Sequence, residues 1–390
     1  MNRNRQPRAE DVELHRLDGQ VLSLGCQGCH LLKPCGGQTR VGGGWSCLAR
    51  CTGCDREHCD LVCLGKPATY IEAVGEVNGF GAEDIGPLCQ PPADLPRYIP
   101  VLQHEYSRTG FLRLPWVAIP LATLLKWPDG IPTPMATTAE TLREVFHLRP
   151  GTRVLLLGTG KDDPIERYWE ARRVRALPAA LAALGWSLAV APNYSLFLDD
   201  PRPQHFHNRK RSLICAAEWS AEQMPTVPYL HAVCPRDYDF WSNFLSAHPE
   251  VTVIAKEFQT GGAKPSRGLW HIEQIARLQD FLGRDLHLLA IGAAQYRLEL
   301  ARRFSDWTIV DSMPFMKAMY RQRACRGERR IHWKGEIDGS VDALLSYNAA
   351  EWGRWIEDLI ETRSWQRHVP APGGVEQTGQ IPLPLRYTRA

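Results

Sequence analysis

The sequence lacks several features that would assign it quickly to a class. No apolar run approaches the roughly 20 residues that a membrane-spanning helix needs. The first stretch, MNRNRQPRAEDVELHR, has no apolar core and is not typical of a secretion signal. The formal net charge of the 390 residues is only +3, so contact with a polyanion would require local basic patches. These features predict a cytoplasmic protein with no membrane partner.

Cysteine, by contrast, is abundant and unevenly placed, since eight of the 12 cysteines lie between positions 26 and 63. In a cytoplasmic chain such clustering is more typical of metal ligation than of disulfides. Thiolates two or three residues apart can reach one ion at about 2.3 Å. We expect structural Zn²⁺ in one or two sites, while an iron–sulfur cluster or free thiols remain open alternatives. The candidate ligands are Cys26, Cys29, Cys35, Cys47, Cys51, Cys54, Cys59 and Cys63.

The pattern divides the chain into four parts. Residues 1–20 are polar, and residues 21–94 form a Cys- and Gly-rich module that bound metal would stabilise. Residues 95–334 alternate short apolar runs with amphipathic segments, and residues 335–390 predict a helix over 335–363 and a Pro/Gly-rich tail. The predicted strands are 98–102, 116–121, 153–158, 187–193, 227–233, 251–257, 286–291 and 307–311. Predicted helices carry Val174, Leu177, Leu181 and Leu184; Phe240, Trp241, Phe244 and Leu245; and Ile275, Leu278 and Leu282.

Strands that alternate with helices predict an α/β fold with a parallel sheet. Eight strands with no dinucleotide-type Gly-rich turn after the first favour a closed (β/α)8 TIM-type barrel over an open sheet. The strand 307–311 ends on Asp311, and the carboxyl ends of strands are where parallel α/β folds place their chemistry.

The stretch LHLLAIGAAQYRLELARRFSDWTIVDSMPFMKAMYRQR, residues 286–323, resembles the last barrel repeat of tRNA-guanine transglycosylases, especially of the archaeal type. The resemblance covers about residues 250–326 and implies that Asp311 is the nucleophile. Relatives that modify DNA with 7-deazaguanines, or that accompany a 7-cyano-7-deazaguanine synthase-like partner in anti-phage operons, are similar. The resemblance therefore implies a guanine or 7-deazaguanine base, with tRNA, DNA or a protein as acceptor, and a homodimer. The structural alternative is that Asp311 caps the helix beginning near Pro314.

The chain departs from that family at three other strand ends. Asn193 stands where the family has an Asp general base, and Asp199 in the next loop is a candidate substitute, as are Asp162, Asp163 and Asp200. Cys234 stands where the family reads the base with a Gln-Gly pair. Lys256, Glu257, Phe258 and Gln259 replace the leading glycines of a base-binding turn, and Glu257 either binds the base or pairs with Lys256 at the surface.

Two basic clusters are predicted near strand ends, where they could hold phosphates or simply be solvated. The first is a predicted loop, residues 202–211, with His205, His207, Arg209, Lys210 and Arg211. The second contains Lys317, Arg321, Arg323, Arg326, Arg329 and Arg330.

Three functions therefore stand open. The first is a transglycosylase-like enzyme that handles guanine or 7-deazaguanine, in nucleic-acid modification or antiviral defence. The second is a non-catalytic barrel that binds a deazaguanine-modified partner. The third, a radical SAM enzyme, rests on the Cys47-x3-Cys51-x2-Cys54 spacing.

Overall fold

The computed structural model of the chain describes residues 73, 75–89, 94–103, 108–126, 133–196, 202–259, 265–327, 330–336 and 338–361. The eight clustered cysteines and Asp199 lie outside these residues. The zinc and iron–sulfur alternatives, and the suggested role of Asp199, therefore stay predictions.

Twelve strands are present in the described part of the chain. They are β1 (Tyr98–Pro100), β2 (Trp116–Pro120), β3 (Leu125–Lys126), β4 (Thr133–Pro134), β5 (Arg153–Leu157), β6 (Leu188–Val190), β7 (Thr226–Val227), β8 (Val253–Glu257), β9 (His287–Ile291), β10 (Trp307–Asp311), β11 (Gln322–Arg326) and β12 (Ile331–Gly335). The helices are α1 (Leu121–Leu124), α2 (Ala139–Val145), α3 (Asp162–Ala171), α4 (Leu177–Ala182), α5 (Arg202–Ala221), α6 (Pro235–Ala247), α7 (Pro265–Leu282), α8 (Arg297–Arg303), α9 (Met313–Met319) and α10 (Val341–Glu361).

Eight of the strands form two parallel sheets of four, in the orders β2-β5-β6-β7 and β1-β10-β9-β8. Two isolated parallel bridges join strands of different sheets, one from Val101 to Ala118 and one from Tyr229 to Ala255. At these bridges Leu102 N donates to Ala118 O at 2.7 Å, and Leu230 N donates to Ala255 O at 2.8 Å. The predicted mixed α/β fold with parallel sheets is confirmed.

The two sheets share one buried apolar cluster. Its members include a residue from each of the eight parallel strands: Ile99, Trp116, Leu155, Leu188, Val227, Val253, Leu289 and Val310. Neighbouring residues along the same strands, such as Val117, Ile254 and Ile309, belong to two other clusters that also contain helix residues. Because side chains alternate along a strand, each strand has an inner face toward the shared cluster and an outer face toward the helices.

Residues 75–89 pack against helix α5 and its neighbours. Val77 and Leu88 are buried, Glu76 contacts both Trp169 and His207, and Asp84 is ion-paired with Lys210. This segment, which the sequence pattern assigned to the Cys-rich module, is therefore continuous with the packing of the α/β body.

Three predicted elements differ from the structure. The predicted loop 202–211 is the first half of α5. The helix predicted around residue 174 is interrupted, because Ala176 adopts a left-handed φ of 48° and Val174 is 84% exposed between α3 and α4. The C-terminal helix begins at Val341 rather than near residue 335, because β12 pairs with β11 in an antiparallel hairpin that was not predicted.

Within the residues that the structure describes, no helix combines the length and the apolar character that crossing a bilayer requires.

Candidate functional site

A carboxylate and an amide meet where strands β6 and β8 end. Glu257 is the last residue of β8, and its side chain lies on the inner face because Val253 and Ala255 belong to the shared cluster. Asn193, three residues past β6, donates its Nδ2 to Glu257 Oε2 over a long 3.5 Å contact. From the strand between them, the Tyr229 hydroxyl accepts the backbone N–H of Glu257 at 3.2 Å. Three neighbouring strand ends thus contribute polar groups to one rim.

A second carboxylate joins this rim through the loop after β6. Asp162 opens helix α3, and its Oδ1 accepts a hydrogen bond from Ser195 Oγ at 2.5 Å. Ser195 lies two residues beyond Asn193, and its carbonyl accepts from Asn208 Nδ2 at 2.7 Å. The loop that carries Asn193 is therefore held between α3 and α5 by Asp162 and Asn208.

The Glu257 carboxylate and the Asn193 amide offer different hydrogen-bonding groups at this rim. An ionised carboxylate only accepts hydrogen bonds, whereas the amide of Asn193 both donates and accepts. A planar heterocycle whose edge places N–H donors beside a carbonyl oxygen complements such a pair. The N1–H, N2–H₂ and O6 edge of guanine has this arrangement.

Asp311 has different surroundings. It ends β10 directly after Val310 of the shared cluster, so the alternation puts its side chain on the outer face with Trp307 and Ile309. It is 6% exposed, and its Oδ1 accepts from Met313 N at 2.7 Å. Burial raises the pKa of Asp311, while hydrogen bonds from the backbone of Met313 and Ser312 oppose that rise. Asp311 thus anchors the start of α9.

The other predicted base contacts, Cys234, Phe258 and Gln259, have different surroundings. Cys234 is the N-cap of α6, with its Sγ 3.6 Å from Asp237 Oδ2. Phe258 is fully buried, with its ring 5.7 Å from the ring of Tyr296, and belongs to the core. The Gln259 side chain lies against Gly292 after β9, where a Cβ would approach it within 2.0 Å. Among Cys234, Phe258 and Gln259, Gln259 continues the rim from Glu257.

The basic cluster on α5 is buried and matched by carboxylates. Arg209 Nη1 lies 3.5 Å from Asp237 Oδ1, and its guanidinium carbon lies 3.4 Å from the ring centre of Phe240. Three neighbours on α5 have partners of their own: His207 with Glu76, Lys210 with Asp84, and Arg211 with Glu166. These contacts are structural, and the suggested phosphate role of Arg209 stays a prediction.

The second basic cluster lies on and beside the β11–β12 hairpin. Arg321 has a left-handed φ of 52° and donates from Nη1 to Gly339 O at 2.7 Å. Arg323 is exposed, lies 3.5 Å from Glu336 and stacks on Tyr347. The described arginines of this cluster, Arg321, Arg323, Arg326 and Arg330, are open to solvent, unlike those on α5, and their suggested phosphate role is likewise a prediction. Arg329 lies outside the described residues.

Of the two residues that support the rim, His231 was not among the predicted site residues, and Lys256 was predicted in a different role. His231 places Nδ1 3.1 Å from Tyr229 O and Nε2 3.2 Å from Tyr194 O. Lys256 is not a surface partner of Glu257: it is 5% exposed and its Nζ donates to Leu230 O at 3.3 Å and Ala232 O at 3.5 Å. The signal available was alternation, since an inner-facing Glu257 requires an outer-facing Lys256.

No protein-family model matches the chain, and no curated protein matches its sequence. The likeness to transglycosylases therefore rests on the residues quoted above. Among the residues that the structure describes, no three His, Cys, Asp or Glu side chains are grouped as metal ligands.

Proposed function

We propose that the eight parallel strands close into one (β/α)8 barrel. The neighbour order β1-β2-β5-β6-β7-β8-β9-β10 returns to β1 if the two isolated bridges are included. A cluster filled by one face of all eight strands is what the packed interior of such a barrel requires. The carboxyl ends of the strands then share one mouth, where barrels of this kind place their sites.

At this mouth the chain binds a guanine or 7-deazaguanine base and exchanges it at a glycosidic bond. The observation that carries this function is the Glu257–Asn193 pair on the inner face. The Glu257 carboxylate would accept the N1–H and N2–H donors of the base, and the Asn193 amide would donate to O6. Each such set of paired hydrogen bonds discriminates among bases by about 1–3 kcal/mol.

Exchange also requires a carboxylate toward the sugar, because the transition state has oxocarbenium character. The family likeness assigns this role to Asp311. To reach the mouth, the carboxylate of Asp311 would have to break the hydrogen bonds that it accepts from backbone N–H groups at the start of α9. This arrangement favours a second candidate function, in which the mouth binds a deazaguanine-modified partner without exchange.

The test combines binding with turnover on the full chain. Titration calorimetry with guanine and with 7-deazaguanine measures affinity, and incorporation of labelled guanine into tRNA or DNA measures exchange. Glu257→Gln should weaken binding about tenfold or more, because the amide places a donor against the N–H groups of the base. Glu273→Gln is the control, since this carboxylate on α7 pairs with Arg277 of its own helix.

Unchanged affinity in the Glu257→Gln variant, or no binding of either base by the wild type, would overturn the proposal. Binding without any labelled product would select the second candidate function.

A further inference from the structure

The hydrogen bonds behind the rim form a closed circuit across three strand ends. It starts at β8, where Lys256 Nζ donates to the carbonyls of Leu230 and Ala232, in the segment after β7. These two carbonyls flank His231 on either side. Lys256 therefore fixes the backbone on both sides of the imidazole.

The circuit continues from His231 to the loop after β6. Its two ring nitrogens lie 3.1 Å and 3.2 Å from the carbonyls of Tyr229 and Tyr194. Tyr194 directly follows Asn193, and the Asn193 amide reaches Glu257, the neighbour of Lys256 on β8. Four side chains thus link the ends of β6, β7 and β8 in a ring that returns to its starting strand.

We propose that Lys256 and His231 are positioning residues that hold Asn193 and Glu257 at the separation needed to bind the base. This inference rests on the proposed function of the mouth. Lys256 and His231 are 5% and 2% exposed, so both act through the backbone and through each other rather than by touching a ligand.

The chemistry of the ring suits this role. Burial lowers the pKa of Lys256 to about 7, with Arg267 of α7 adding to the effect and Glu257 and Asp237 of α6 opposing it. Burial and the charge of Lys256 lower the pKa of His231 to about 3, so its imidazole is neutral and has a single N–H to donate. The circuit is closed in the tautomer that carries the proton on Nε2, which then donates to Tyr194 O.

The experiment measures base affinity in single and double variants of the full chain. Lys256→Met and His231→Phe remove donors at similar volume and should each weaken binding of guanine about tenfold. His231→Gln keeps an N–H donor and should recover most of that loss. If Lys256→Met does not fold, the comparison of His231→Phe with His231→Gln carries the test.

Lys210→Met is the matched control, because Lys210 is also buried but pairs with Asp84 and has no contact in the circuit described above. It should leave base affinity unchanged even where it lowers stability. In a Glu257→Gln background, His231→Phe should cause much less than tenfold further loss, because the two residues act on one contact.

Different outcomes overturn the function proposed for the mouth and the positioning role of Lys256 and His231. If Glu257→Gln leaves affinity intact, the function proposed for the mouth is wrong. If Glu257→Gln weakens binding but Lys256→Met and His231→Phe do not, or if His231→Gln is no better than His231→Phe, the positioning role is overturned.

Discussion

Glu257 and Asp311 are both carboxylates on the last residue of a parallel strand in the same sheet, yet their surroundings differ. Glu257 ends β8 on the face that carries Val253 and Ala255, toward the shared cluster. Asp311 ends β10 on the face of Trp307 and Ile309, toward the helices. One step in the alternation separates a carboxylate that faces the shared cluster from one that faces the helices.

The partners of the two carboxylates follow from this difference. Glu257 faces a side-chain amide, and its own backbone N–H is bound by a phenol. Asp311 accepts hydrogen bonds from backbone N–H groups at the start of α9. We therefore expect changes at Asp311 to act first on stability and changes at Glu257 to act first on binding.

The largest expected effect on stability is that of Asp311→Ala. Loss of the buried acceptor leaves the Met313 N–H without its partner, which costs about 2 kcal/mol of unfolding free energy. Glu257→Ala, at a half-buried rim position, should cost less than about 1 kcal/mol. Urea denaturation of both variants measures the difference in unfolding free energy. Equal losses would contradict the expectation that Asp311 contributes more to stability than Glu257.

Asp311→Asn separates the capping role from a nucleophilic one. The amide oxygen can still accept from the backbone, so the variant should keep the hydrogen bond at the start of α9. Because burial raises the pKa of Asp311, the ionised carboxylate is unfavourable in the folded state. That penalty is present above the raised pKa and disappears as pH falls below the ordinary value of 3.8.

Asp311→Asn should therefore be more stable than the wild type near pH 7, and the difference should disappear as pH falls below 3.8, as followed by urea denaturation at each pH. An exchange assay on the same Asp311→Asn protein tests whether Asp311 is the nucleophile. A stable Asp311→Asn protein without labelled exchange, when the wild type exchanges, identifies Asp311 as the nucleophile despite its outer position.

The positions of the parallel strands were predictable because each apolar run is bounded by a change in pattern. The prediction 307–311 coincides with β10, and 251–257 contains all of β8. The hairpin β11–β12 was missed, because only Ala324 and Ile331 among its strand residues are buried, so neither strand forms an apolar run. Helix α5 was read as a loop because the carboxylates that neutralise it, including Glu76 and Asp84, are more than 100 residues away in sequence.

The candidate site was predictable in residue type and not in arrangement. Polar residues at strand ends marked Asn193 and Glu257, because parallel strands bring their carboxyl ends to one edge. Their contact depends on the stagger between β6 and β8, which no local pattern encodes. The burial of Lys256 depends on the carbonyls of Leu230 and Ala232 turning toward it, which is equally non-local.

The smallest expected effect is a change in the pKa of His231, which tests whether Lys256 and His231 are electrostatically coupled. Lys256→Met removes the positive charge that, after burial itself, lowers the pKa of His231. The pKa of His231 should then rise from about 3 toward its ordinary value of 6.5 without reaching it, because the ring stays buried. NMR of the imidazole resonances between pH 7 and pH 4 follows this change.

His287 is the internal control for that titration. Its pKa is lowered to about 4 by burial, with Arg97 as the cation that adds to the effect, and Lys256 is not among the causes. Its titration should therefore be the same in Lys256→Met as in the wild type. If both histidines shift together, the substitution has loosened the whole body. If neither shifts, Lys256 and His231 are not coupled, and the difference between the Glu257 and Asp311 strand ends then rests on their orientation alone.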